Sequence, residues 1–285
     1  MYKALKSLTA TEQVGALFII IFGLLMIAGV AVFMLSMRES EDAMAQQRRS
    51  GDSKNLNRLL KTSWVMIFVF WIAWISGDIA RLVLFGIGSF FALREFLTLS
   101  PTRHGDHRSL VLAFFGVLPF QYWLVASRHF DLFTVFIPVY VFLALPVASA
   151  LANDPQRFLE RNAKLQWGIM VCIYGMSHVP ALMLLDFPRY NNKTAFLMLF
   201  LVLVVQTCMV TQHLVNRRLY RHVVAPLISQ SFNWRSWWVG MAVGILLGAL
   251  LAGITPFVPG QAFVMAFIAC AAGSLGHLVM KALKR

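Results

Sequence analysis

The chain has 285 residues, of which 59% are hydrophobic and 13% charged, with a mean hydropathy of +0.70. That excludes an ordinary soluble domain, in which about a quarter of residues carry charge. Its 25 Lys and Arg outweigh 12 Asp and Glu, for a formal net charge of +13, but the bases fall in short clusters between long apolar runs, which excludes a single nucleic-acid-binding face.

A bilayer span takes about 20 apolar residues, and the sequence offers such runs at residues 14 to 36, 61 to 77, 79 to 99, 110 to 127, 130 to 151, 165 to 185, 195 to 215, 237 to 256 and 262 to 283. The first is longer than a signal-peptide core and lacks a small-x-small cleavage site, so it is expected to stay as a span. Gly77-Asp78 marks a tight turn between the second and third runs. With the N-terminus outside, only Lys3, Lys6, Arg81, Arg128, Arg189 and Lys193 lie on the outer side, which leaves 19 of the 25 bases inside. Such a bias follows the positive-inside rule, and merging the second and third runs would turn the first basic cluster outward. The expectation is therefore an all-α polytopic membrane protein with about nine transmembrane helices, N-terminus out and C-terminus in. Residues 1–62 form a span plus a polar cytoplasmic loop, residues 63–285 form the main transmembrane domain, and the compartment is a bacterial inner (cytoplasmic) membrane.

The polar stretch from Arg38 to Lys61 mixes four acids with six bases and reads as a solvated linker or surface helix, with Arg48, Arg49 and Lys54 available to anionic headgroups. In the eighth run Gly240, Gly244 and Gly248 recur every four residues, which predicts a stripe where another helix approaches closely. Trp234, Trp237 and Trp238 gather at its inner end as interfacial anchors. Cys172, Cys208 and Cys270 all lie in apolar runs; an odd number without short spacing argues against disulfides and zinc and predicts buried free thiols. His213 and His277 share helices with Cys208 and Cys270, but no spacing demands a soft-metal site, and separate buried residues are expected. No Ser-His-acid set, glycine-rich phosphate loop or CxxC is present.

Chemistry on a phosphorylated substrate with magnesium requires carboxylates, because that ion prefers oxygen ligands. Nothing acidic follows Asp186: the last 99 residues hold nine Lys or Arg and neither Asp nor Glu. The earlier acids show no cluster by spacing. The loop from Asn216 to Ser236, with Arg217, Arg218, Arg221, His222 and Arg235, thus suits anions, either forking guanidinium groups onto phosphate or serving as a topology signal. Glu95 beside Arg94, at the inner end of the third helix, is expected to sit at the interface with its basic neighbour, as a structural pair.

The stretch Phe91-Ala92-Leu93-Arg94-Glu95-Phe96-Leu97-Thr98-Leu99-Ser100-Pro101-Thr102-Arg103, followed by Gly105-Asp106-His107-Arg108, resembles the early segment of bacterial phosphatidate cytidylyltransferases, the CDP-diacylglycerol synthases. The resemblance runs from about residue 63 to the end. It implies a multispanning enzyme that joins CTP to phosphatidate with divalent metal and releases pyrophosphate. In the stretch corresponding to the family's cytoplasmic loop, Gln212, Arg221, Pro226, Ser229 and Trp234 match its pattern, whereas Met209 stands for an acid, Phe232 for a lysine, Asn233 for a threonine and Arg235 for a glutamate. In the final signature His277 replaces the aspartate, and the chain stops at Lys284-Arg285, so the member is expected to be C-terminally truncated.

Phosphoryl chemistry brings negative charges together and relies on cations to neutralise them; arginines hold anions but do not coordinate magnesium. The resemblance, with these losses, implies a degenerate relative that retains a lipid- or nucleotide-binding or regulatory role. Arg217, Arg221, His222, Ser229, Lys284 and Arg285 are then the phosphate or headgroup residues, while Glu95, Gln212, Pro226 and Trp234 are motif-matching structural positions. No metal or other cofactor is expected. The partners are membrane phospholipid, CTP or phosphatidate, and an active lipid enzyme, with no nucleic acid. Two alternatives stay open: an active phosphatidate cytidylyltransferase with an altered, magnesium-dependent site, and a small transporter.

Overall fold

The computed structural model describes residues 75–99, 104–185, 195–218, 232–253 and 257–283, with isolated positions between 61 and 73 and at 224, 228 and 255. The first expected span and part of the second, with the polar loop between them, lie outside the described residues. Every regular element among the described residues is helical. We number them α1 (Gly77–Thr98), α2 (His107–Ala126), α3 (Phe130–Ala150), α4 (Phe158–Leu184), α5 (Ala195–Arg218), α6 (Trp234–Leu250) and α7 (Pro259–Leu283).

Six of the described helices, α2 to α7, are long and apolar enough to cross a membrane. They coincide with the fourth to ninth expected runs, and α4 starts earlier than expected because Arg161 and Lys164, read as loop residues, lie in its first turns. Helix α1 occupies the third run, yet Asp78, Arg81, Arg94 and Glu95 near its two ends set it apart from those six. It begins after the expected turn: Gly77 has φ +77°, a conformation that costs glycine nothing. Arg81, nearly buried, then reaches back to donate from Nε to the carbonyl of Ala73 at 3.0 Å and pairs with Asp78 at 3.0 Å. It thereby satisfies an acceptor that the broken helix leaves open.

The chain divides into two compact units, one of residues Ile72–Phe187 and one that includes Pro188–Arg285. In the first, α1 packs on α2 and α4, and α3 packs on α2 and α4. Its core holds Phe85, Tyr122 and Ala73 at one place and Leu124, Val125, Phe133, Ala181 and Leu184 at another. Tyr122 donates to the carbonyl of Phe85 at 2.9 Å and meets Ser89 Oγ at 2.6 Å, so the buried hydroxyls of α1 and α2 satisfy each other.

Prolines shape this unit. Wide π-helical turns run over Leu112–Val117, Phe136–Val141 and Met170–Gly175, each within five residues of Pro119, Pro138 or Pro180, since proline lacks the donor that a regular ladder needs. On α3, Pro138 and Pro146 strip the carbonyls of Thr134 and Phe142, four residues back, of their helical partners. Helix α4 supplies both replacements: Tyr174 Oη donates to Thr134 O at 3.0 Å and Gln166 Nε2 donates to Phe142 O at 2.8 Å. The two donors are eight residues apart, as are the two prolines, so an antiparallel neighbour restores two successive gaps in one ladder. Within lipid, where no water can fill such gaps, donors from a neighbouring helix are what make prolines tolerable.

Among the described residues of the second unit, α5, α6 and α7 pack on one another. The glycine stripe is its seam, as the spacing predicts. A Cβ added at Gly240 would fall 2.7 Å from Cys208 O, and one at Gly248 would meet the Cβ of Ala266. Gly244 lies against Cys208 on α5 and Cys270 on α7, and all three cysteines are free and buried, as the sequence reading expects. Trp237 Nε1 donates to Ser274 Oγ at 2.8 Å, which fixes α6 against α7. The outward faces carry large apolar side chains such as Phe115 (74% exposed) and Leu250 (71% exposed). A water-soluble monomer rarely displays so many; lipid accepts them without cost.

Candidate functional site

Most of the basic loop, with Arg221, His222, Pro226 and Ser229, lies outside the described residues, as do Lys284 and Arg285 at the end of the sequence. Arg217 and Arg218 belong to the last turn of α5. The flanks of the loop are described. The amide of Val224 donates to Phe232 O at 3.1 Å. Asn233 then caps α6, its side chain accepting from the amide of Arg235 at 3.0 Å while Ser236 Oγ donates to its carbonyl at 2.9 Å. Asparagine at this position satisfies an otherwise open amide of the first helical turn. Asn233 stands where the family pattern has a threonine, and capping is the task it performs here.

Three of the motif-matching positions, Glu95, Gln212 and Trp234, are described. Gln212 lies against Gly240, where an added Cβ would come 3.1 Å from its own Cβ. Trp234 is half exposed and makes edge contacts with Phe232 and Trp237, at ring-centroid distances of 5.7 and 5.4 Å, in keeping with an interfacial anchor. Glu95 is exposed at the end of α1 with no ion pair among the described residues; the expected partnership with Arg94 is absent because adjacent helical positions do not face each other. Cys208 and Cys270 meet without joining His213 or His277 in any metal-holding group, and among the described residues no group of three or more His, Cys, Asp and Glu side chains could hold an ion.

Among the described residues the acids form no metal-holding group, as the reading from spacing expects, but two of them meet at one arginine. Asp106, opening α2, and Asp154, in the α3–α4 turn, converge on Arg161 in the second turn of α4. Arg161 Nε lies 2.8 Å from Asp106 Oδ1, and its Nη1 lies 2.6 Å from Asp154 Oδ2 and donates to Gln156 O at 2.9 Å. The Arg161 side chain is 8% exposed, and those of Asp106 and Asp154 are 12% and 27% exposed. The turn is built for this. Asn153 and Arg157 take left-handed φ values of 55° and 48°, and the Gln156 amide donates to Asp154 Oδ1 at 3.2 Å, the side-chain-to-backbone bond that makes Asp a turn former. Gly105 has no Cβ because one would come 3.0 Å from the Cβ of Asp154. Arg108 adds a bond from Nη1 to Leu151 O at 3.1 Å. The one signal in the sequence was Gly105-Asp106 within the family-like stretch. Its partners, 48 and 55 residues further on, carry no spacing signature.

All-helical, with six helices of membrane-spanning length and a lipid-compatible exterior, the described chain has the make-up of a multispanning membrane protein. The model of the cytidylyltransferase family matches residues 56–285, and the chain belongs to that family. A relative, the uncharacterized protein YnbB of Escherichia coli (strain K12), is 28% identical over 228 residues, which cover 79% of this chain and 74% of YnbB. No solved structure matches.

Proposed function

We propose that this protein is a cytidylyltransferase-family member that binds phosphorylated ligands at the membrane without carrying out magnesium-dependent cytidylyl transfer. The ligand class is a phospholipid headgroup or a nucleotide such as CTP, held by Arg217, Arg221, His222, Ser229, Lys284 and Arg285, and the role is regulatory, beside an active enzyme of lipid synthesis. In this reading the chain makes about nine spans in a bacterial inner membrane, N-terminus out and C-terminus in. One observation carries the proposal: no acid follows Asp186, while nine bases do. A hard divalent cation takes oxygen ligands, and a loop of arginines without carboxylates attracts phosphate but repels the ion that transfer chemistry uses to neutralise it. The acids that do converge, Asp106 and Asp154, already have a cation in Arg161.

The test is turnover and binding with the purified full chain in lipid. CTP, phosphatidate and magnesium are expected to give no CDP-diacylglycerol above a protein-free control; sustained production establishes instead an active enzyme with an altered site, for which family membership is the supporting observation. CTP and phosphatidate are expected to bind about tenfold or more weakly to Arg221→Ala, the loss of one charge-assisted fork. Equal affinities would reduce the loop to a topology signal.

A further inference from the structure

We infer that Arg161 is the pin of an ionic latch that makes two separate segments, residues 105–111 leading into α2 and residues 151–161 leading into α4, open and close as one element. The two carboxylates come from different segments, and the guanidinium bridges them: Nε forms an ion pair with Asp106 at 2.8 Å without a hydrogen-bonding angle, and Nη1 serves Asp154 and Gln156 O. Arg108 ties the same segments a second time, through Leu151 O. Nearby surface pairs differ in kind. Lys164–Glu160 at 2.6 Å and Arg157–Glu160 at 4.0 Å lie within one helical turn of each other and are well exposed, so water screens them and they hold nothing together. Removing Arg161 leaves two carboxylates without their shared cation and with little water to relieve them, the case in which ion-pair loss is strongly felt. A lysine at 161 keeps the charge but loses the planar fork that spans both acids.

Hydrogen exchange on the full chain in lipid nanodiscs tests this, because exchange reads local opening segment by segment. Arg161→Met is expected to speed exchange at least about tenfold in both segments together, and Arg161→Lys to speed both by a smaller factor. Lys164→Met is expected to change neither. Faster exchange confined to 151–161 in Arg161→Met, with 105–111 within twofold of wild type, would make Arg161 a local support and overturn the latch. Should Arg161→Met not fold, Gly105→Ala serves instead, since it keeps every charge while pressing a methyl against Asp154 and Arg161; the latch then requires both segments to loosen, and wild-type exchange refutes it. Millimolar magnesium or manganese is expected to leave wild-type exchange unchanged. A cation-dependent opening would mean that a metal competes for the two carboxylates and that Arg161 is not their resident counter-charge.

Discussion

Gln166 donates across the α3–α4 interface to the carbonyl that Pro146 leaves without a helical partner, and the value of that bond can be isolated by restoring the missing donor. In Gln166→Leu the side chain keeps its bulk, but Phe142 O faces lipid and protein carbon with no donor. An acceptor left unsatisfied away from water costs about 1–3 kcal/mol, and interhelical bonds measured in membrane proteins fall near the lower end of that range, so the expected loss is about 1 kcal/mol. In a Pro146→Ala background the amide of residue 146 can reach Phe142 O itself, and Gln166→Leu is then expected to cost close to nothing. Reversible unfolding in mixed micelles, applied to wild type, both single variants and the double variant, gives the coupling energy directly. A Gln166→Leu cost that is the same in the wild-type and the Pro146→Ala backgrounds would refute the argument, since it would place the contribution of Gln166 in packing rather than in repair of the ladder.

The companion pair behaves the same way: Tyr174→Phe is expected to destabilise by about 1 kcal/mol in the presence of Pro138 and by much less in Pro138→Ala, read by the same unfolding cycle. On the helical seam, Gly248→Ala drives a methyl into Ala266 and is expected to cost about 1–3 kcal/mol by overpacking; adding Ala266→Gly removes the obstructing methyl, so the double variant should be more stable than Gly248→Ala alone by thermal denaturation in detergent. Tyr122→Phe strands the fully buried Ser89 hydroxyl, whereas Ser89→Ala leaves Tyr122 its bond to Phe85 O. The tyrosine change should therefore be the more damaging, by roughly 1 kcal/mol in unfolding free energy.

Much of the fold was legible in residue order because the bilayer imposes a length and a polarity on whatever crosses it. The apolar runs from 110 onward mark α2 to α7 to within a few residues, except where α4 begins with charged turns. Gly77-Asp78 marks the break before α1, and the four-residue glycine spacing marks the seam of α6. What spacing could not reveal is which polar groups meet. Asp106, Asp154 and Arg161 look like unrelated loop charges along the chain and become one buried cluster only when α2, α3 and α4 stand side by side. Pro138 and Pro146 lie inside one apolar run, and only the tertiary structure shows α4 placing Tyr174 and Gln166 opposite the carbonyls they expose.

Composition and hydropathy alone determined that this protein is helical, that its long helices suit lipid, and that its final third has bases without acids. Tertiary structure decided which charges are neutralised inside the protein and which backbone groups are repaired from a neighbouring helix. The reason is a difference in range: transfer of apolar surface out of water depends on each segment's own side chains, whereas a hydrogen bond or buried ion pair exists only when two distant segments bring their atoms within about 3 Å.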